Sequence, residues 1–267
     1  MNMTLAEWHQ LLKTHPRNLL GIKSGCADVT VITYIYGRAD YVEQHFYEIE
    51  NAIRETWFHF GFMKTVVVTN NVTPSIENFL RNFREWVRVD ICHALIGGDL
   101  YAYSRDCIKN LHKRFSTPYM LFIHPDGFPL RSGIEDFIGK YDYIGAPWPE
   151  SKDDRIGKLL LNQKNFVGNG GFSLRSHAIC EAVAYWYKRG FKLIPNIFLM
   201  YEDYFFTRVL TKYIPSYKRK FKIAPPSEAA KFALEQVDSP KDIPLGFHSA
   251  SAFMRLQGIC AASNLEL

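Results

Sequence analysis

The sequence has little that would mark a secreted or membrane-embedded chain. Its five cysteines, at positions 26, 92, 107, 180 and 260, form no CxxC pair and stand too far apart for a disulfide framework or a zinc knuckle. Reduced, mostly buried thiols follow, and a cytoplasmic compartment is expected. No apolar run approaches the ~18–20 residues that span a bilayer. No apolar h-region follows the first residues, so no signal peptide is expected, and the sequons at Asn2 and Asn71 carry no weight. Glycine (17) and proline (13) are ordinary in 267 residues, which excludes collagen-like and low-complexity chains. Charge of one sign is scarce too. The 32 Lys and Arg exceed the 27 Asp and Glu by only five. A polynucleotide binder concentrates more, so no nucleic-acid partner is expected, whereas a nucleotide diphosphate fits.

What is present is apolar. Hydrophobic residues make up 47% and aromatics 15%, with 20 Phe and 15 Tyr. That is enough for a sizeable core and excludes a disordered chain. The length fits one large domain. The expected organisation is one unit over 1–267, with a helical appendage at 1–20, a half at 28–130 and a second half at 131–250. Aromatics beyond the needs of a core either pack or line a groove.

Thr4 to Glu7 reads as a capping box, opening a short amphipathic helix through Leu5, Trp8, Leu11 and Leu12. Runs rich in β-branched residues at 28–34, 64–70, 87–92 and 118–123 alternate with helical periods at 40–57, 75–86 and 99–115. This β-α-β-α-β-α-β rhythm predicts an α/β fold with a mostly parallel sheet covered on both faces. Ligands in such sheets bind beyond the carboxyl ends of the strands. Residues 34–38 and 124–128 stand there. After residue 126 a short helix at 134–138, a strand at 141–148 broken at Pro147, a loop at 151–165 and helices at 177–189 and 202–212 are expected. An irregular tail from 223 onward should hold one helix at 227–234. Residues 212–222, with Lys218, Arg219 and Lys220 adjacent, are the densest basic stretch. It reads first as a solvated loop, with contact to an anionic acceptor or to the inner face of a membrane as the alternative.

Four constellations carry chemistry. His124-Pro-Asp126 puts a carboxylate at a strand end, where a cation or a turn would compensate it. Gly168-Asn-Gly-Gly-Phe-Ser-Leu-Arg175 is dense enough in glycine for a ligand to approach the backbone, yet lacks the Lys-Ser/Thr of a P-loop. Glu202 and Asp203 open a helix in an aromatic setting, where the helix dipole or a general-base role accounts for them. His248 stands near the end of the chain and is a structural residue or a metal ligand.

The order of these constellations resembles that of metal-dependent glycosyltransferases of the GT-A fold, in particular inverting enzymes of the fringe and β-1,3- or β-1,4-galactosyltransferase type. The strings DYIGAPWP, VGNGGFSLRS, EDYFF and GFHSA are similar to a mostly bacterial glycosyltransferase-like family of undefined function, over residues 28–250. The resemblance implies a nucleotide-diphosphate sugar donor, a glycan or glycolipid acceptor, a place in polysaccharide biosynthesis, and Mn²⁺ or Mg²⁺ as cofactor. Asp126 and His248 would hold the metal, and His124 stands where the family's Asp-x-Asp has its first Asp. Tyr34, Tyr36, Gly37, Arg38, His124 and Asp126 would bind the donor. Asp203 would be the base, with Glu202 beside it. Trp148, Asn169, Gly170, Gly171 and Phe172 would form the sugar and acceptor wall, with Tyr204 as a further pocket aromatic. The alternatives are a non-catalytic nucleotide-sugar or glycan binding module, or a sugar nucleotidyltransferase. The latter wants a Gly-rich basic phosphate loop after the first strand, where 34–38 supplies one Gly and one Arg.

Overall fold

The β-branched runs of the first half pair side by side, because only a sheet lets such residues bury on both faces. In a computed structural model that describes residues 3–148, 167–190, 201–235 and 243–263, β1 (Val29–Tyr34) and β2 (Thr65–Thr69) are buried at every position. β3 (Val87–Ile91) lies at the edge, and β4 (Tyr119–Phe122) joins the other side of β1. Val31 sits opposite Thr65, and Val29 opposite Tyr119. These four strands are parallel, joined through α2 (Ala39–Phe60), α3 (Pro74–Phe83) and α4 (Leu100–Asn110). Two short strands extend the sheet, β5 (Tyr143–Ile144) and β6 (Ser173–Ser176), in the order β3-β2-β1-β4-β6-β5. β6 runs antiparallel to both β4 and β5. The mostly parallel α/β sheet expected from the strand–helix rhythm is therefore present.

Each face of the sheet carries its own apolar layer. On one, Phe46, Ile49, Ile53 and Trp57 of α2 meet Phe79 of α3. On the other, Tyr103 and Ile108 of α4 meet Ile179 and Val183 of α5 (His177–Arg189). The N-terminal helix α1 (Leu5–Thr14) has the expected capping box: the Glu7 N–H donates to Thr4 Oγ1 (3.2 Å) and the Thr4 N–H to Glu7 Oε2 (2.7 Å). It packs on the body of the protein. Trp8 stacks on Phe128 at 4.9 Å, and Met3 exchanges two hydrogen bonds with the Gln257 side chain.

The second half departs from expectation in four places. The strand anticipated at 141–148 joins the sheet over Tyr143–Ile144, and Pro147 adds an isolated bridge to Val167. The basic stretch at 212–222 is not a loop: α6 (Glu202–Tyr204), a π-helical turn (Phe205–Val209) and α7 (Leu210–Tyr213) lead into α8 (Pro215–Lys220), which Pro215 opens at a position where a missing N–H costs nothing. The helix anticipated at 227–234 is α9 (Pro226–Phe232) and stops two residues early, because Ala233 and Leu234 form β7 beside β8 (Gly246–Phe247). The tail is not irregular, since α10 (Ala250–Ser263) follows, with the Ala252 N–H donating to Ser249 Oγ. The loop anticipated at 151–165 lies outside the described residues. Among the described residues no helix is long and apolar enough to cross a membrane.

Candidate active site

β4 delivers residues 124–127 to the carboxyl edge of the sheet. There the His124 N–H donates to Gly127 O (2.9 Å) and the Gly127 N–H to His124 O (3.0 Å), closing a tight turn. Two elements distant in sequence hold the turn. Buried His9 of α1 contacts Pro125 O through Nε2 at 2.8 Å. A carbonyl only accepts, so Nε2 carries the proton. From the other side, the Ser249 N–H donates to Asp126 O (2.7 Å). β8 and the bond from the His248 N–H to Leu234 O (2.9 Å) bring His248 alongside.

His124, Asp126 and His248 thus converge, with one ligand atom from each lying within 4.8 Å of the others. His248 Nε2 is 3.6 Å and His124 Nδ1 4.0 Å from Asp126 Oδ1. The far nitrogen of each ring has a protein partner: His124 Nε2 the Tyr103 hydroxyl (3.2 Å), His248 Nδ1 the buried Glu235 Oε1 (3.3 Å). Metal-bound histidines are oriented in this way, with one nitrogen tied back and the other free to ligate. Ligand atoms on one ion at ~2.1 Å lie ~3–4 Å apart, so both spacings to Asp126 fit a divalent metal. Glycine leaves room: a Cβ on Gly171 would overlap the His248 ring, and one on Gly127 would press on Gly171 O. Burial, aided by repulsion from His248, pushes His124 down to about 4, so it is neutral and able to ligate. Burial also opposes charge on His248, but the bond to Glu235 and the Asp126 carboxylate outweigh it and raise its pKa.

A cleft of 630 Å³ opens beside this cluster, lined by Tyr34, Tyr36, Gly37, Arg38, His124 and Asp126 among others. All six residues expected to bind the donor are therefore brought to one cavity. Tyr34 contributes little surface, because its hydroxyl turns inward to Asp106 (2.8 Å) and it is 5% exposed. Tyr36 stacks on Tyr103 at 5.7 Å. Arg38 is exposed and paired with Asp40.

The Gly-rich loop lies against the His248 ring. Asn169 adopts φ 58°, a left-handed conformation uncommon outside glycine. The Gly170 N–H donates to Asp203 Oδ2 (3.1 Å), and the Tyr204 N–H to Asp203 Oδ1 (2.8 Å). One peptide unit, ~3.8 Å between Cα atoms, separates the residue holding Asp203 from the residue against His248. Burial first, and the neighbouring Glu202 charge second, push the Asp203 carboxyl up to about 7.

Two expectations change. Phe172 does not face a ligand: it is fully buried and stacks on Phe232 at 5.0 Å, so it belongs to the core. Glu202 is engaged by Arg175, whose Nη2 lies 2.9 Å from Glu202 Oε1, both side chains buried. A Cβ on Gly170 would overlap that carboxylate. Trp148 is half-buried, its ring tilted 31° against Tyr204 at 4.2 Å, with the Arg208 guanidinium 4.7 Å from its ring. Sequence reasoning missed Glu235, Tyr103, Arg175 and His9. Only Arg175 stood inside a recognised string, and nothing local marks Glu235.

If Glu235 orients His248, Glu235→Gln should weaken Mn²⁺ binding about 10–100-fold, as loss of such partners does elsewhere. Calorimetric titration with the metal alone checks this; unchanged affinity would remove Glu235 from the site.

The family described as "Protein of unknown function (DUF5672)" matches residues 100–248. No curated protein matches the chain. Among solved structures, S. aureus TarS 1–349 in complex with UDP is similar over 90% of this chain and 67% of that one, at 13% identity and TM-score 0.46. The apo-form glycosyltransferase GlyE of Streptococcus pneumoniae TIGR4 is similar over 74% and 45%, at 10% identity and TM-score 0.41. The mannosyltransferase PcManGT from Pyrobaculum calidifontis, in complex with GDP-Man and Mn²⁺, is similar over 67% and 54%, at 13% identity and TM-score 0.35. The chain spans about half of the length of the last two.

Proposed function

The chain belongs to the DUF5672 family of proteins of unknown function, and from the site itself we propose that it is a metal-dependent, inverting glycosyltransferase. It would move a sugar from a nucleotide-diphosphate sugar to a hydroxyl of a glycan or glycolipid acceptor. The observation that carries this reading is the convergence of His124, Asp126 and His248 at the mouth of the strand-end cleft, with both far ring nitrogens tied back.

The donor set favours one cofactor over the other. Two imidazoles with one carboxylate suit a transition ion, whereas Mg²⁺ prefers an all-oxygen shell. Mn²⁺ is therefore the proposed cofactor, held by Asp126, His248 and His124. A divalent cation there would neutralise charge developing on the diphosphate leaving group. The chain's own residues do the rest. The cleft past Tyr36 and Gly37 takes the nucleoside. The Gly170–Gly171 backbone forms the wall between donor and acceptor. Asp203, aimed by the Gly170 and Tyr204 N–H groups, accepts the proton of the acceptor hydroxyl. The bond from that oxygen to the anomeric carbon forms as the bond to the phosphate oxygen breaks. One base on the face opposite the leaving group suffices for inversion. Glu202, committed to Arg175, is left out of proton transfer.

A thermal-shift screen of nucleotide sugars with and without Mn²⁺ tests the binding half. The true donor at ~100 times its Kd should raise Tm by roughly 5–10 °C, and only with the metal. If no nucleotide sugar shifts Tm in either condition, the proposal fails. A shift without any turnover would make the chain a binding module.

A further inference from the structure

The chain's basic excess is concentrated in two stretches of the second half, 188–189 and 212–222. Lys188 and Arg189 end α5, Lys212 lies in α7, Lys218, Arg219 and Lys220 end α8, and Lys222 follows. All seven are exposed, and among the described residues none has a carboxylate within 4.0 Å. Seven cations exceed the chain's formal net charge of +5, so the remaining residues together carry −2. The charge is therefore a local feature.

Aromatic rings are interleaved with it. Lys188, Arg189 and Lys220 line a groove of 740 Å³ together with Tyr185 and Trp186, and among the described residues Glu181 is the one carboxylate on that lining. Tyr185 is 47% and Tyr213 51% exposed. Arg189 lies over Tyr185 at 4.9 Å and Lys212 over Tyr213 at 5.3 Å. Half-exposed rings thus stand beside cations that have no carboxylate partner among the described residues. They are the pairing that an anionic bilayer rewards, with aromatics at headgroup level and cations on phosphates.

We propose that this α5–α8 ridge docks the protein on a bilayer surface bearing anionic phospholipids. The argument is the charge complementarity of an unpaired cationic and aromatic face, and it stands apart from the transferase reading. The helical run from Asp203 to Tyr213 extends about 15 Å. Docking would therefore leave Asp203 at the end of that run away from the ridge.

Co-sedimentation with vesicles tests this. The protein should bind vesicles of phosphatidylcholine with one-third phosphatidylglycerol, fail to bind pure phosphatidylcholine, and be released by high salt. Lys188→Glu/Arg189→Glu/Lys220→Glu should bind roughly 100-fold more weakly, at about fivefold per cation removed. A control with the same change in net charge, Lys23→Glu/Arg81→Glu/Arg84→Glu, should bind as the wild type does. Thermal melts establish that both variants fold. The proposal is overturned if the wild type ignores anionic vesicles, if the ridge variant binds normally, or if the control loses as much. Retention on an anionic polysaccharide without vesicle binding would also overturn it, because the face would then serve a soluble polyanion.

Discussion

Asp203→Asn is expected to lower sugar transfer by about 10²–10⁴-fold, the usual contribution of a general base, while Mn²⁺-dependent donor binding persists. The base sits in a protected position, with one backbone N–H on each carboxylate oxygen. An Asn can accept from only one of those two donors. The variant should therefore also lose about 1–3 kcal/mol of stability, as expected for a buried donor left unpaired. A pH profile separates the two effects. Burial and the Glu202 charge push Asp203 up to about 7, although Arg175 and the Tyr204 N–H pull the other way. Since the base acts deprotonated, the wild-type rate should rise about tenfold per pH unit up to pH ~7 and then level. The Asn variant should lack that limb. Stability has the opposite sign. A carboxyl whose pKa is higher folded than unfolded contributes fully below its ordinary 3.8, and that contribution is lost as pH rises through about 7. Full transfer activity in the Asn variant would remove Asp203 from the mechanism.

Arg175→Met should produce the largest loss of stability, about 3–5 kcal/mol, as for breaking a buried ion pair by removing one partner. Arg175 is fully buried, and its guanidinium lies 5.0 Å from the Phe122, 5.1 Å from the Tyr143 and 4.8 Å from the Phe206 ring centroids. It donates from Nε to Ser173 Oγ (3.0 Å) and pairs with Glu202. Removing it strands the Glu202 carboxylate in that apolar setting. The double variant Arg175→Met/Glu202→Gln should recover most of the loss, because neither charge is then buried. Urea denaturation of the four proteins in the cycle measures this. A single variant that costs under about 1 kcal/mol, or a double variant no better than the single, would contradict the structural role given to the pair.

These two residues also show what could be read from sequence. The sheet was legible because its strands are continuous β-branched runs, such as Val66-Val67-Val68, separated by helices with clean apolar spacing at Val42, Phe46, Ile49 and Ile53. Asp126, Asp203 and His248 were legible as chemistry-bearing residues next to turns and glycines. Their assembly into one site entered only through the family resemblance. His248 reaches the cluster because two-residue strands β7 and β8 pair, a signal too short to stand out in sequence. Glu235 and His9 act across large sequence separations and sit in no motif. Phe172 was expected to face the ligand because it lies inside the Gly-rich string that carries the family resemblance. It turns instead into the core, where Phe232 and Gly246 accommodate it. The basic stretch at 212–222 read as a loop because Pro215 and its lysines break the apolar period, yet Pro at a first helical turn starts a helix as readily as it ends one.

The most direct test of the central claim is nucleoside-diphosphate release from a panel of nucleotide sugars, with and without Mn²⁺, comparing wild type with Asp126→Ala and His248→Ala. The account predicts release from one donor class in the presence of an acceptor glycan, dependent on Mn²⁺ and abolished in both variants, with the product sugar inverted at its anomeric carbon by NMR. Release that is equally fast without metal, or that survives in either variant, would contradict it.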